Sequence, residues 1–290
     1  MRATKMIKGE GDEGLFGPGS MTWRVHAHPA MLIGGLRSLL VQALNPLTMA
    51  GVAQHSNYKD DSWGRLMRTT DYVMTTTYGD TAAAEHAVKI VQRIHDRVRG
   101  VDPVTGEAYE ANDPKLLLWV HCAEVDAFIG AYRAYGPRIS DADADRYVSE
   151  MAVLAELFDI PSADIPRNVA ELHEYMESQE LTSSAYARDA MKFILFPPVP
   201  WFGGKLPEIP GRKLLLIPGR AGWSLYSLAT VAILPKRVRR AYGLPWVPMT
   251  PVLQAAVFAM SRTMRLVFAP PPPVLRAIER QRELESARSA

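Results

Sequence analysis

The stretch "DSWGRLMRTTDYVMTTTYG" at 61–79 concentrates residue types that can do chemistry. Read as a helix, its period puts Arg65, Arg68, Thr69, Tyr72 and Thr76 on one face and Leu66, Met67, Val73 and Met74 on the other. Two guanidinium groups and a hydroxyl on one face suit either a solvated surface or a buried anion. Arg65 and Thr69, four residues apart, can address one carboxylate together, the first as a fork and the second through one hydroxyl. Asp61 and Asp71 lie in the same stretch, and nothing in the pattern singles either out.

Two histidines sit in apolar helical patterns. His95 is four residues after Val91 and three before Val98, on or beside the stripe of Ala84, Ala87, Val88, Val91, Ile94 and Val98. It reads as a core histidine satisfied by a hydrogen bond, or as an axial ligand to a metal or haem, since a neutral imidazole on a rigid helix suits that position. His121 lies in "LLLWVHCAEVDAF", a helix apolar nearly all round, with Glu124 three residues on and adjacent on one face. That pair reads as a carboxylate orienting a histidine or as a self-satisfied buried polar pair. A carboxylate-bridged di-metal site would need Glu-x-x-His on two helices, and the core helices carry none. His55, just before the arginine-rich stretch, is either a surface or cap residue or a polar group lining the pocket that Arg65 faces. His86 and His173 lie among charged residues, and His26 and His28 stand at the start of the first helix. No phosphate loop, nucleophile elbow, zincin helix or EF-hand is present.

The elements that must position these groups are helical. The segment 28–44 has Pro29 near its start and stops before Pro46, and 81–100 ends at Gly100 as a capping glycine. The segment 112–136 opens with Asp113 as N-cap and Pro114 in the first turn, and stops at Gly136. Segment 141–158 carries acidic residues in its first turn, and Asn168 with Glu171 has capping-box spacing. A Pro/Gly-rich loop is expected at 196–213, a helix within 250–273 that starts at Pro251 and is stopped by the proline run, and a short charged helix at the C-terminus. No alternating strand pattern of useful length and no repeat is visible. The reading is all-α: one large helical-bundle-like domain over 22–270, a disordered tail at 1–21 and a charged helix or tail at 271–290.

Composition bounds the function. The net charge of +2 gives no reason to expect nucleic acid as a partner, and the single cysteine, Cys122, excludes an intramolecular disulfide framework. The run "MLIGGLRSLLVQALNPLTMAGVA" at 31–53 is interrupted by Arg37, Gln42, Asn45 and Pro46, so it reads as a buried helix pair rather than a membrane span. The first twenty residues have no apolar signal region. A cytoplasmic chain is expected, with peripheral membrane contact left open by the basic run "PKRVRRAYG" at 235–243, which reads first as a solvated helix face.

Five blocks in order, "LIGGLRSLLVQALNPLTMAGVAQHS", "WGRLMRTTDYV", "RIHDRVRG", "YEANDPKLLLWVH" and "AYRAYG", resemble the MpaB/latex-clearing-protein (rubber oxygenase) family over roughly 22–180. The resemblance implies an all-α oxidoreductase. Rubber oxygenases of that family bind haem b and cleave isoprenoid double bonds with dioxygen, and a fungal member cleaves a farnesyl-type chain. The implied partners are dioxygen and a hydrophobic, isoprenoid or lipid-like substrate. The family's Arg-x-x-Lys/Arg-Thr motif falls on Arg65, Arg68 and Thr69. Arg65 and Thr69 would then stand near a haem propionate, with His95 as proximal iron ligand and His121 as runner-up. Rubber oxygenases have a lysine where Arg68 stands, and arginine is too strongly protonated to ligate iron readily, so the distal face is expected to differ here. Arg68, His55 and Asp71 remain candidates for a catalytic role. The rival reading is a non-catalytic helical haem- or lipid-binding protein, peripheral to a membrane.

Overall fold

The computed structural model describes residues 11–197, 217–267 and 272–289. Most of the loop expected at 196–213, the first ten residues of the expected tail and residues 268–271 lie outside the described residues. The remainder is helical: α1 (Met21–His26), α2 (Ala30–Gln42), α3 (Pro46–His55), α4 (Ser62–Tyr78), α5 (Thr81–His95), α6 (Pro114–Tyr135), α7 (Asp141–Glu156), α8 (Val169–Ser178), α9 (Ala185–Leu195), α10 (Ile217–Ala232), α11 (Lys236–Tyr242), α12 (Pro251–Val267) and α13 (Pro272–Ser289). The all-α expectation holds.

Local chemistry sets the helix ends. Asp113 accepts from Lys115 N and Gly136 closes α6; Asn168 accepts from Glu171 N at the start of α8. Ser140 and Asp143 form a reciprocal capping box on α7. Asn45 accepts from Thr48 N with Pro46 in the first turn of α3, so α2 and α3 meet at a break of 103°. Among the described residues no single helix is long and apolar enough to cross a membrane; the bent α2–α3 pair passes only by length and composition, and α2 is largely buried inside the protein.

One expectation is corrected. The helix read over 81–100 ends at His95, and Gly100 is not its cap. The chain turns instead into a two-stranded antiparallel hairpin, β1 (Arg99–Val101) against β2 (Ala108–Glu110), with Gly100 opposite Tyr109. Asp102 holds the turn by accepting from Thr105 N and Thr105 Oγ1. Three-residue strands are too short for an alternating pattern, which is why no strand was expected.

α6 is the axis of the fold and α2 lies closest against it. The close approach depends on two glycines: a Cβ at Gly34 would stand 2.8 Å from Phe128 Cδ1, and one at Gly130 would stand 2.1 Å from Arg37 Nη1. Across this crossing Arg37 donates to the Asp126 carbonyl at 2.6 Å and to Asp126 Oδ2 at 2.5 Å. α7 and α8 cover another side of α6, burying Tyr147, Met151 and Leu172 with Cys122 and Val125. α9 and α11 pack Ala187, Val238 and Tyr242 against Leu40, Leu44 and Trp119. α13 crosses α4, where Arg280 donates to the Tyr78 carbonyl at the end of that helix.

Cys122 is fully buried on α6, and burial pushes its thiol pKa far up, with the Asp126 charge adding to the effect. A thiol reagent should therefore label the folded protein slower by orders of magnitude than the urea-unfolded chain, because labelling must wait for opening. The single cysteine makes the assay unambiguous, and equal rates in the two states would contradict the packing of α6.

Candidate functional site

α4 packs along α5 and touches α1 and α13, but neither α4 nor α5 is packed closely along α6. Arg65, His95 and His121 lie on these three helices.

From α6 come His121 and Glu124. Both are deep in the protein, yet each retains some accessible surface. Neither forms a hydrogen bond among the described residues, so Glu124 does not orient His121 as one sequence reading had it. Burial alone drives both pKa values, pushing His121 down to about 4 and Glu124 up to about 7. His121 is thus a neutral imidazole at neutral pH, and Glu124 is poised between its two forms.

α4 contributes the opposing face. Tyr72 is mostly buried, and its phenol pKa is raised first by burial and then by the Glu124 carboxylate, which places the two within electrostatic reach. Thr76, one turn on, is buried and donates to the Tyr72 and Val73 carbonyls. Arg65, two turns before Tyr72 on the same face, donates to Ser56 Oγ at 2.6 Å. Burial lowers its pKa, Tyr58 opposes that shift, and the neighbouring Arg68 charge adds to it. No carboxylate pairs with Arg65 among the described residues. A half-buried guanidinium with five donors and one neutral partner has capacity for an anion.

The predicted face divides in the structure. Arg65, Tyr72 and Thr76 turn inward, whereas Arg68 and Thr69 are exposed. Arg68 pairs with Asp61 at 2.9 Å, and that same Asp61 caps α4 by accepting from Gly64 N. Thr69 makes no hydrogen bond among the described residues. Asp71 is exposed. Met67, expected on the covered face, is 52% exposed.

His95 closes the C-terminal end of α5. Burial lowers its pKa, against the raising effects of the Asn112 carboxamide and the Asp96 carboxylate. Its Nδ1 is buried without a bonded partner, as is Asn112 Oδ1. His55 lies outside this grouping: its Nε2 donates to the Arg99 carbonyl and its ring stands edge-on to Tyr109, so it braces the hairpin. His26 is the histidine that sequence reasoning undervalued. It ends α1 fully buried, bonded to Thr77 Oγ1 at 2.7 Å and to Tyr147 Oη at 3.0 Å, and burial pushes its pKa down to about 3. Its partners lie 51 and 121 residues away, and no local pattern connects them. The basic run at 235–243 serves partly inside: Arg237 donates to the carbonyls of Met176 and Gln179 at the end of α8.

Among the described residues no three His, Cys, Asp or Glu side chains gather into a metal cage. A prosthetic group with its own metal needs less from the protein: one axial nitrogen, cations for its acidic groups and space. His95 or His121 offers such a nitrogen and Arg65 such a cation.

Fold and site together describe an all-α protein with partly buried ionisable groups on α4, α5 and α6. The chain belongs to the family described as ER-bound oxygenase mpaB/B'/rubber oxygenase, catalytic domain, which matches residues 23–267. The match covers both the stretch to about 180, where the sequence resemblance is close, and most of the C-terminal third, where it is loose. The family is one of oxygenases, so the chain is an oxidoreductase by class. Comparison with curated proteins and with solved structures returns no match.

Proposed function

We propose that this chain is a haem b-dependent oxygenase acting with dioxygen on a hydrophobic, isoprenoid or lipid-like substrate, its catalytic domain spanning 22–270. The observation that carries the reading is Arg65: a half-buried cation with no carboxylate among the described residues, on the α4 face that also turns Tyr72 toward Glu124. A carboxylate held near the interior needs such a charge-assisted donor, and a haem propionate is that kind of anion. His95 would hold the iron, with His121 as the other candidate; Arg65 would hold a propionate, with Thr69 one turn away as a second donor.

Bound haem supplies the activation of dioxygen. The chain's own residues do the rest. Neutral imidazoles at His95 and His121 keep a lone pair available where a cationic ring could not. Glu124 is the interior group able to hold or release a proton near neutrality. The catalytic candidates His55, Arg68 and Asp71 stand on exposed surfaces in this structure, so the proton-handling role passes to Glu124 in this reading. Tyr72 stays a phenol and limits the charge beside it.

The test is the absorption spectrum of purified protein, before and after reconstitution with haem. A Soret band is expected, lost in His95→Ala and retained in His121→Ala. The opposite pattern would transfer the ligand role to His121. Absence of the band in wild-type protein after reconstitution removes the haem reading, and haem-free protein that copurifies with lipid would support a non-catalytic lipid binder instead.

A further inference from the structure

Asn112 and His95 present the two halves of one hydrogen bond. Asn112 Nδ2 donates to the Gln92 carbonyl at 3.1 Å and to Asp96 Oδ1 at 2.8 Å. Both partners are acceptors only, so the amide orientation is fixed: nitrogen toward α5's last turn, oxygen the other way. That oxygen is buried and has no bonded partner among the described residues, and the same holds for His95 Nδ1. A buried unpaired polar atom costs about 1–3 kcal/mol. Here each orphan is the complement of the other, and the Asn112 side chain lies within bonding reach of the imidazole. His95 Nε2 is neither sealed nor bonded among the described residues, so it keeps accessible surface.

We infer that Asn112 is a positioning residue for His95: its Oδ1 accepts from Nδ1–H, fixes the ring in that tautomer and leaves Nε2 bare for a ligand. Free histidine side chains favour the opposite tautomer, with the proton on Nε2, so the protein must impose this one. Metal-bound histidines are held the same way, by a carbonyl or carboxylate on the nitrogen remote from the metal. The tautomer assignment stands on the fixed amide of Asn112 and the two complementary unpaired atoms; only its use in ligation rests on the haem reading above.

The experiment uses full-length protein with ¹⁵N-labelled histidine. Two-dimensional ¹⁵N–¹H spectra of the metal-free chain should show His95 as the Nδ1–H tautomer in wild type and in Asn112→Asp, which keeps the acceptor. In Asn112→Leu the ring should revert toward the Nε2–H tautomer. Wild-type protein with the proton on Nε2, or an Asn112→Leu spectrum identical to wild type, would overturn the inference. If Asn112→Leu does not fold, the wild-type and Asn112→Asp tautomers decide. In the haem-loaded protein the reduction potential should fall in the order Asn112→Leu, wild type, Asn112→Asp, as the axial ring becomes more electron-rich. Haem affinity should drop about 10- to 100-fold in Asn112→Leu. A wild-type chain that binds no haem yet shows the Nδ1–H tautomer would sink the haem reading and leave the tautomer inference in place; equal potentials and affinities across the three proteins would sink the ligation role.

Discussion

Asp126→Ala should destabilise the fold by about 3–5 kcal/mol, because it strands the Arg37 guanidinium in the α2–α6 crossing. Arg37 and Asp126 side chains are only 7% and 10% exposed, so water cannot replace the lost partner. The remaining bond, from Arg37 Nη1 to the Asp126 carbonyl, does not neutralise the charge. His173 stands 3.8 Å from Asp126 Oδ1 on the outer side and is itself well exposed, so it adds little. The expected readout is a fall in the urea midpoint at constant slope and a drop in Tm on the order of 10 °C. A companion variant, Arg37→Met with Asp126→Leu, should recover much of the loss, since apolar groups of similar volume often replace a buried ion pair without penalty. A stable Asp126→Ala, or a double variant no better than the single, would show that the crossing is held by its glycines and apolar contacts alone.

The second large effect concerns pH. Burial raises Glu124 to about 7 from its ordinary 4.5 and lowers His121 and His26 to about 4 and about 3 from 6.5. Between pH 4.5 and 6.5 the unfolded chain carries two protons on these histidines that the folded chain refuses, while the folded chain carries one on Glu124 that the unfolded chain lacks. The unfolded state is ahead by one proton, so stability should rise with pH by about 1.4 kcal/mol per unit. Between 6.5 and 7 only Glu124 differs, the folded state is ahead by one proton, and stability should fall. The three groups together set a maximum near pH 6.5. Glu124→Gln removes the descending limb, doubles the slope of the acid limb and adds up to about 3 kcal/mol at pH 8. Chemical denaturation of wild type and variant across pH 4.5–8 measures all of this. A variant whose curve parallels wild type would mean that Glu124 is solvated or paired.

Much of this architecture is legible in the chain. Asp113, Gly136, Asn168 and Pro46 mark helix ends because capping and proline geometry act within a few residues. The helical period also put Arg65, Tyr72 and Thr76 on one face, and the structure keeps them there. What the period cannot tell is which faces other elements cover. It grouped exposed Arg68 and Thr69 with half-buried Arg65, and it expected Met67 to be covered. Spacing placed His121 beside Glu124, yet among the described residues neither side chain bonds the other, and Glu124 acts instead on Tyr72 of α4. The Arg37–Asp126 pair spans 89 residues, and no local rule links its ends. The bridge from His95 to Asn112 stayed hidden because it depends on a hairpin too short to leave a pattern.

That hairpin has a consequence for how the imidazole's setting is stored. Gln92, His95, Asp96 and Asn112 all fall within residues 92–112, and β1 and β2 fold this stretch back on itself so that its ends meet. The bonds that hold Asn112 beside His95 are therefore written in one contiguous segment, like a cassette, which His55 on Arg99 and Asp159 on Gln92 clamp from outside. Perturbing α10–α13 would touch none of these bonds. Changing the spacing on either side of the Asp102–Gly106 turn, by contrast, would shift Asn112 relative to His95 and pull on the contacts of Gln54 and His55 with the hairpin.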